Sequence, residues 1–311
     1  MNQRNFRELL EAQWSRGNFV CVGLDSEFSK IPRCLWQDGE SHIGIVDERE
    51  IDIAGTIVAF NRATVEATKG LVCAYKPNSA FYEAHGDEGI AALHRTIVDI
   101  HIIAPDVPVI LDAKRADIGN TNNGYVEAAF DFLQADAITV HPYLGAEALQ
   151  PFLARAEKGI IVLCRTSNPG AGEFQDLYWQ VSGSHKIAQL TGKLSVTLFE
   201  QVADNVATNW NKNGNCALVV GATYPAELKR VRQIVGDMPI LIPGVGAQGG
   251  DVEKTVTAGK DSRGWGMIIN ASRSIIFASS GEDFAAAARR ETEKLRDLIN
   301  QYRLAPPKPM A

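Results

Sequence analysis

A short segment gathers two carboxylates around one ammonium where an apolar run ends. The segment ILDAKRADIGNT, residues 110–121, places Asp112, Lys114 and Asp117 within six residues. Side chains two positions apart on a strand share a face, so Asp112 and Lys114 are expected to point the same way. An exposed ion pair stabilises a fold by only ~0–1 kcal/mol, which makes stability a weak reason for this cluster. A lysine beside carboxylates stays protonated, so Lys114 suits a proton donor better than an amine nucleophile.

Further polar residues end other short apolar runs and could contribute to the same chemistry. Lys76 follows LVCAY, and a lysine lining a barrel could form a Schiff base, although nearby carboxylates would keep its ammonium charged. His141, in TVHPYLG, is as compatible with a structural role as with acid–base catalysis. The polar residues at the ends of such runs are Asp25, Lys76, Asp112, Lys114, His141, Arg165 and Asn270, together with the glycines that begin at Gly244.

The elements that must position these residues are short β-rich runs alternating with longer segments of helical periodicity. Eight such runs with helical connections and a final helix are typical of a single-domain (β/α)8 barrel, a TIM barrel. A doubly wound open sheet is the alternative, but it usually carries a Gly-rich turn after its first strand, and here GLDSEFSK contains no GxGxxG. The predicted strands cover residues 19–25, 71–76, 108–114, 137–141, 159–165, 216–221, 239–243 and 267–270, and the clearest helical segments are 89–103, 124–134, 193–210 and 281–302.

Two neighbouring segments predict a phosphate site. PGVGAQGGD, residues 243–251, follows the seventh predicted strand, and its glycines let backbone amides approach a ligand closely. NASRSII, residues 270–276, follows the eighth strand, and the loops after strands seven and eight form the usual phosphate site of these barrels. Gln248 and Arg273 would supply side-chain donors, since arginine can bind a phosphate through two hydrogen bonds.

Composition argues against several other classes of protein. The chain has 311 residues and a net charge of −6, which argues against a general nucleic-acid-binding surface. Its five cysteines form no CxxC pair and four lie in apolar runs, so we expect buried reduced thiols and no zinc or other metal site. The N-terminus lacks the apolar segment of a signal peptide, and no apolar run approaches ~18 residues, so we expect a cytoplasmic protein that does not span a membrane.

The pattern predicts one barrel domain over residues 1–304 and a flexible Pro-rich tail at 305–311. Two connections are longer than most barrel loops, one from residue 26 to about 47 and one from residue 168 to about 185. Long loops that follow barrel strands lie on the catalytic face. We therefore expect both connections to border the active site.

These motifs, taken in order, resemble the orotidine 5'-phosphate decarboxylase family. LDAKRADI is similar to the family's DxKxxDI signature, and TSNPG, IPGVGAQGGD and NASRS follow in the family's order. The resemblance covers about residues 19–276, and the chain length with its two long connections is similar to the longer bacterial branch of the family. The DxKxxD element by itself is less specific, because related sugar-phosphate barrels share it.

The resemblance implies a role for each charged residue. Asp112, Lys114 and Asp117 would form a charged array around the reacting carbon, with Lys114 delivering the proton. Asp25 and Lys76 would hold the ribose hydroxyls and complete the charge network. The implied reaction converts orotidine 5'-monophosphate to uridine 5'-monophosphate and CO2 in de novo pyrimidine biosynthesis, without a cofactor.

The resemblance also implies a homodimer with shared active sites. Asp117, Ile118 and Thr121 would reach across the interface into the neighbour's site. Ser167 would contact the amide edge of the pyrimidine, although the sequence leaves open whether Thr166 does so instead. The remaining implied contacts are Pro243 on the ring, and Gln248 and Arg273 on the 5'-phosphate.

Two other functions remain compatible with such a barrel. One is a magnesium-dependent sugar-phosphate decarboxylase or aldolase, in which the acidic residues would bind the metal. The other is a non-catalytic barrel that binds a phosphate ligand. The presence of both Asp112 and Lys114 argues against a pure binding protein, because binding alone does not require a cluster of charged side chains that is electrostatically costly to form.

Overall fold

The barrel strands follow the predicted apolar runs closely. The structure, a computed structural model, describes residues 4–36, 51–245 and 251–305. Its strands are β1 (Val20–Leu24), β2 (Val72–Pro77), β3 (Ile110–Arg115), β4 (Ala137–Val140), β5 (Gly159–Arg165), β6 (Tyr178–Gln180), β7 (Ser195–Thr197), β8 (Cys216–Val220), β9 (Ile240–Pro243) and β10 (Met267–Ala271). Val and Ile are the commonest residues of the eight strands that match the predicted runs. Except for the second half of β3, those strands are largely buried, as expected of parallel strands covered on both faces.

Eight parallel strands close into a barrel. They are hydrogen-bonded in the order β2-β1-β10-β9-β8-β5-β4-β3. The two end strands of this order meet through isolated parallel bridges, Tyr75 with Val109 and Asn78 with Asp112. The predicted (β/α)8 barrel is therefore confirmed, and the open doubly wound sheet is excluded.

Helices connect the strands on the outside of the barrel. In the described ranges they are α1 (Phe6–Ser15), α2 (Ile53–Thr68), α3 (Ala80–Glu83), α4 (Gly86–Ile103), α5 (Gly119–Val126), α6 (Gly145–Ala148), α7 (Gln150–Leu153), α8 (Gly172–Gln175), α9 (Lys186–Thr191), α10 (Leu198–Asn205), α11 (Pro225–Val235), α12 (Val252–Gly259), α13 (Arg273–Ile276) and α14 (Phe284–Leu304). Short π-helical segments, Glu127–Phe132 and Val206–Trp210, extend α5 and α10.

The connection between β5 and β8 differs from the prediction in two respects. Residues 168–185 are not a plain loop, because β6 within them pairs antiparallel with β7. The helix predicted from residue 193 begins only at Leu198, since Ser195–Thr197 forms β7. Glu200 fixes this start: its carboxylate accepts hydrogen bonds from the Thr197 backbone N–H at 2.8 Å and hydroxyl at 2.9 Å.

Arg165 has a structural role, because it holds the connection that follows β5 against the barrel. Its guanidinium donates to the Asp176 carboxylate at 3.1 Å and lies 4.0 Å from the centre of the Tyr224 ring. The Arg165 side chain is buried, whereas the Asp176 carboxylate is about half exposed to solvent. The contact holds the chain that follows β5 close to the mouth of the barrel.

Two buried charged residues stabilise the end of the barrel at which the strands begin, opposite the cavity. Asp136 accepts hydrogen bonds from Arg4 Nε at 2.8 Å and from the Val109 N–H at 2.8 Å. Burial would raise the pKa of Asp136, but the nearby His101 ring and hydrogen bonds from Arg4 lower it from 3.8 to about 2. Arg232 donates to the carbonyls of Gly236, Met238, Gly259 and Gly266.

The cysteines are distributed as the sequence predicted. Cys21, Cys73, Cys164 and Cys216 are buried thiols, whereas Cys34 is exposed. None of the described helices is both long and apolar enough to cross a membrane. The single domain over residues 1–304 with a tail at 305–311 stays a prediction, and residues 306–311 lie outside the described part of the chain.

Candidate active site

A cavity of about 480 Å³ opens at the carboxyl ends of the barrel strands. Its size falls within the ~300–1,000 Å³ of small-molecule sites. The residues predicted to act in catalysis or binding and found in its wall are Asp25, Lys76, Asp112, Lys114, Ser167, Pro243 and Arg273. Residues from six different strands or their following loops therefore meet in one site.

Asp112 lies between two lysines. Lys76 Nζ is 2.8 Å from Asp112 Oδ2, and Lys114 Nζ is 2.7 Å from Asp112 Oδ1. Lys76 is almost fully buried and Asp112 nearly so, whereas the side chain of Lys114 is 50% exposed. Lys114 therefore presents the accessible cation of the group to a ligand in the cavity.

Mutual attraction keeps these buried groups ionised. Burial opposes the charged form of Asp112, but Lys76 and Lys114 outweigh it and hold the pKa of that carboxyl well below its usual range. Burial likewise opposes the charged form of Lys76, but Asp112 and Asp25 hold the pKa of this ammonium above its ordinary value. Lys76 is consequently a poor candidate for a Schiff-base amine at neutral pH.

Lys114 reaches the cavity through a break in the strand rather than by simple alternation. Leu111 pairs with Ile138 and Arg115 pairs with Val140, so three residues of β3 lie opposite one residue of β4. Lys114 has a φ of +49°, in the left-handed region, which costs a non-glycine residue roughly 1–2 kcal/mol. The predicted convergence of Asp112 and Lys114 is confirmed, but a bulge rather than the regular pleat produces it.

Asp25 approaches the lysine pair from β1. Its Oδ1 lies 3.9 Å from Lys76 Nζ and, though buried, has no hydrogen-bond partner among the described residues. The next residue, Ser26, donates to the buried Asn61 at 2.6 Å, and Asn61 in turn donates to Tyr82 OH at 2.9 Å. This network fixes the end of β1, where Asp25 lines the cavity.

The geometry after β5 separates the roles of Thr166 and Ser167. The Thr166 hydroxyl donates to Asn168 at 2.6 Å and accepts from Gln175 Nε2 at 3.0 Å. The Ser167 hydroxyl makes no hydrogen bond to another described residue, and Ser167 lines the cavity. Gly221 allows this placement, since a Cβ there would lie 2.8 Å from the Ser167 Cβ. Ser167 is therefore better placed than Thr166 to bind a ligand.

The opposite side of the cavity carries the expected anion-binding elements. Arg273 is exposed at the cavity wall, and its side chain makes no hydrogen bond or ion pair within the described ranges. Pro243 and Gly244 form the adjacent wall, and Gly244 has a φ of +95°, which a side chain would disfavour. Gln248, the other predicted phosphate ligand, lies outside the described residues.

Three predicted residues do not line the cavity of their own chain. Asp117, Ile118 and Thr121 follow β3 but are absent from the cavity wall. Asn122 holds this turn by accepting from the Asp117 backbone N–H at 2.8 Å. Ile118 is 62% exposed, an unusual position for an isoleucine in water.

The cavity contains residues that the sequence did not single out as functional. Asn78, Thr139 and Gln175 line it, as does Asn270, which the sequence noted only as a strand end. The alternation of side chains along β4 could have indicated Thr139. Gln175 belongs to the connection between β5 and β8, and no local sequence pattern indicates that its side chain lies at the cavity. His141 does not line the cavity; its ring accepts from the Tyr143 N–H at 3.4 Å.

Metal-ligating side chains do not converge anywhere in the described ranges. No group of three or more His, Cys, Asp and Glu residues there could hold a metal ion. Both oxygens of Asp112 instead accept hydrogen bonds from lysines.

Known proteins with similar sequences and folds share this architecture. The model of the orotidine 5'-phosphate decarboxylase/HUMPS family matches residues 20–290. The chain is 46% identical to an orotidine 5'-phosphate decarboxylase of Ralstonia nicotianae over 96% of its own length and 99% of the relative's. It is also similar to the solved OMP decarboxylase of Leishmania donovani, with a TM-score of 0.76 and 34% identity over 97% of this chain and 100% of that one. The chain therefore belongs to the orotidine 5'-phosphate decarboxylase/HUMPS family.

Proposed function

We propose that this protein decarboxylates orotidine 5'-monophosphate to uridine 5'-monophosphate and CO2 in de novo pyrimidine biosynthesis, in the cytoplasm. The observation that carries the proposal is the Lys76–Asp112–Lys114 arrangement at one side of a cavity whose other side presents Arg273. A nucleotide with a reacting carboxylate at one end and a phosphate at the other matches this distribution of charge.

Lys114 is the proposed proton donor. When the bond between C6 and the carboxylate breaks, its electron pair stays on C6 and CO2 leaves. The Lys114 ammonium stabilises this developing negative charge and then transfers a proton to C6, which yields uridine 5'-monophosphate. The resulting neutral amine regains a proton from solvent, to which the half-exposed side chain has access.

Asp112 and Lys76 prepare the charge for this step. Asp112 fixes Lys114 Nζ through a hydrogen bond of 2.7 Å. The ionised Asp112 carboxylate also repels the carboxylate of the bound substrate. This repulsion is weaker in the transition state, because the negative charge is moving from the departing CO2 to C6. Since fixed charges supply the stabilisation, the proposed mechanism uses no cofactor.

The other side chains bind the parts of the nucleotide that do not react. Asp25, which lines the cavity, accepts from a ribose hydroxyl, and Lys76 assists at the same edge. Ser167 contacts the amide edge of the pyrimidine and Pro243 packs on the ring. Arg273 and Gln248 bind the 5'-phosphate. Binding energy from this contact, which is remote from the reacting carbon, can raise kcat.

We also propose a homodimer in which Asp117, Ile118 and Thr121 complete the neighbour's site. Their absence from the wall of their own cavity supports this arrangement. So does the exposure of apolar side chains after the neighbouring strands β3 and β4, namely Ile118, Tyr143 and Leu144. Asp117 would then belong to the charged array of the partner, not to that of its own chain.

The magnesium-dependent alternative fits the geometry less well. A metal site requires free carboxylate oxygens, and both oxygens of Asp112 are already bonded to lysine ammonium groups. A purely binding barrel gains nothing from the strained, solvent-accessible Lys114.

One assay tests the proposal. Purified protein is mixed with orotidine 5'-monophosphate, and the loss of orotidylate absorbance is followed with and without EDTA. We expect the same turnover in both. The absence of turnover by folded protein would refute the decarboxylase function, and turnover that EDTA abolishes and magnesium restores would favour the metal-dependent alternative.

A further inference from the structure

Thr139 connects the two central groups of the site. Its hydroxyl accepts a hydrogen bond from the Lys114 backbone N–H at 2.9 Å and donates its proton to Asp112 Oδ1, also at 2.9 Å. The side chain lies on β4 and is 1% exposed, so water does not compete for these bonds. Thr139 thus holds the backbone of the proposed proton donor and the side chain of its carboxylate partner simultaneously.

The bulge in β3 explains why a side chain is needed here. Residues 112–114 lie opposite Thr139 alone, so the Lys114 N–H cannot follow the regular ladder to a β4 carbonyl. An unpaired N–H at this depth would be costly. The Thr139 hydroxyl replaces the missing acceptor and so stabilises Lys114 in its left-handed conformation, with φ +49°.

The same hydroxyl orients the carboxylate. Asp112 Oδ1 accepts from both Thr139 Oγ1 and Lys114 Nζ, and Oδ2 accepts from Lys76 Nζ. With three donors the carboxylate plane has a single direction. Without the hydroxyl, Asp112 could rotate towards Lys76 and carry Lys114 Nζ away from the reacting carbon.

We propose that Thr139 is a positioning residue for the decarboxylation, acting through Asp112 and Lys114. This inference rests on the proposed function. A displacement of about 1 Å in a reacting group can reduce turnover by ~100-fold. Loss of the hydroxyl should therefore lower kcat while leaving the contacts to ribose and phosphate unchanged.

Three substitutions test the role of the hydroxyl. Thr139→Val keeps the shape and removes the hydroxyl, Thr139→Ser keeps the hydroxyl, and Thr139→Ala removes it without steric conflict should the valine variant fail to fold. We expect kcat to fall by about 10- to 100-fold in Thr139→Val or Thr139→Ala. KM and the affinity for uridine 5'-monophosphate should each change by less than about threefold, because the remote contacts persist. Thr139→Ser should keep at least about half of the parent kcat.

A matched control separates positioning from general packing. Thr292 is a buried threonine of α14 whose hydroxyl donates to the Ala288 carbonyl at 2.7 Å. Thr292→Val should lower the melting temperature without a selective loss of kcat. The inference is overturned if Thr139→Val and Thr139→Ala keep kcat within twofold of the parent, if Thr139→Ser loses as much as they do, or if product affinity falls in parallel with kcat. An inactive parent protein would refute the decarboxylase function itself, which is a separate outcome.

Discussion

Replacement of Lys114 by alanine should remove nearly all turnover while preserving nucleotide binding. The ammonium is held 2.7 Å from Asp112 and is half exposed towards the cavity. A charge about 4 Å from the developing carbanion contributes ~4 kcal/mol at an effective dielectric constant of about 20, which corresponds to roughly a thousandfold in rate.

The lost proton transfer adds to this electrostatic loss. General acid catalysis contributes ~100- to 10,000-fold, but the two effects act in one step and do not multiply independently. We therefore expect Lys114→Ala to lower kcat by at least about a thousandfold. Affinity for uridine 5'-monophosphate should change by less than about tenfold, because Arg273 and Asp25 still line the site.

The assay combines orotidylate absorbance for turnover with calorimetric titration of uridine 5'-monophosphate for binding. Lys294→Ala is the matched control, since this lysine of α14 is largely exposed and its only ion pair among the described residues is with Glu291. A folded Lys114→Ala variant that binds the product and keeps more than a tenth of the parent kcat would refute the proton-donor role.

Three further predictions follow from the site and the fold. Inactive Asp112→Asn and Asp117→Asn proteins should regain activity when mixed and allowed to exchange subunits, because one hybrid site would be intact; no recovery after demonstrated exchange would contradict shared sites. Arg273→Ala should lower kcat/KM for the nucleotide by roughly 100-fold, since a charge-assisted hydrogen bond contributes about 3 kcal/mol. The slow reaction of phosphate-free orotidine should be unchanged. An equal loss for both substrates would argue against phosphate binding by Arg273. Asp136 has a pKa of about 2 in the folded protein against 3.8 ordinarily, so its contribution of roughly 2 kcal/mol is present above about pH 4 and is lost as the pH falls towards 2. The stability difference between the parent and Asp136→Asn, measured by urea unfolding, should shrink by about 1 kcal/mol from about pH 6 to about pH 3; a constant difference would contradict this origin.

The barrel itself could be predicted because each strand carries a local signal. Val- and Ile-rich runs of five to seven residues, such as β1 and β5, become strands almost where the sequence places them. The order of those strands around the barrel then follows from the regular right-handed connection between successive parallel strands. The sequence does not predict the two-stranded pairing after β5, because the strand Ser195–Thr197 has only three residues and is continuous with an amphipathic helix.

The sequence by itself determined which charged groups the site contains and at which strand ends they lie. Residue type and position along a strand are local properties, so Asp25, Lys76, Asp112 and Lys114 could be assigned to one face of the barrel before the fold was known. Only the tertiary structure decided how those groups are held. The bulge at residues 112–114 and its bond to Thr139 join positions 25 residues apart. The bulge interrupts the two-residue alternation from which the register of a strand is otherwise inferred.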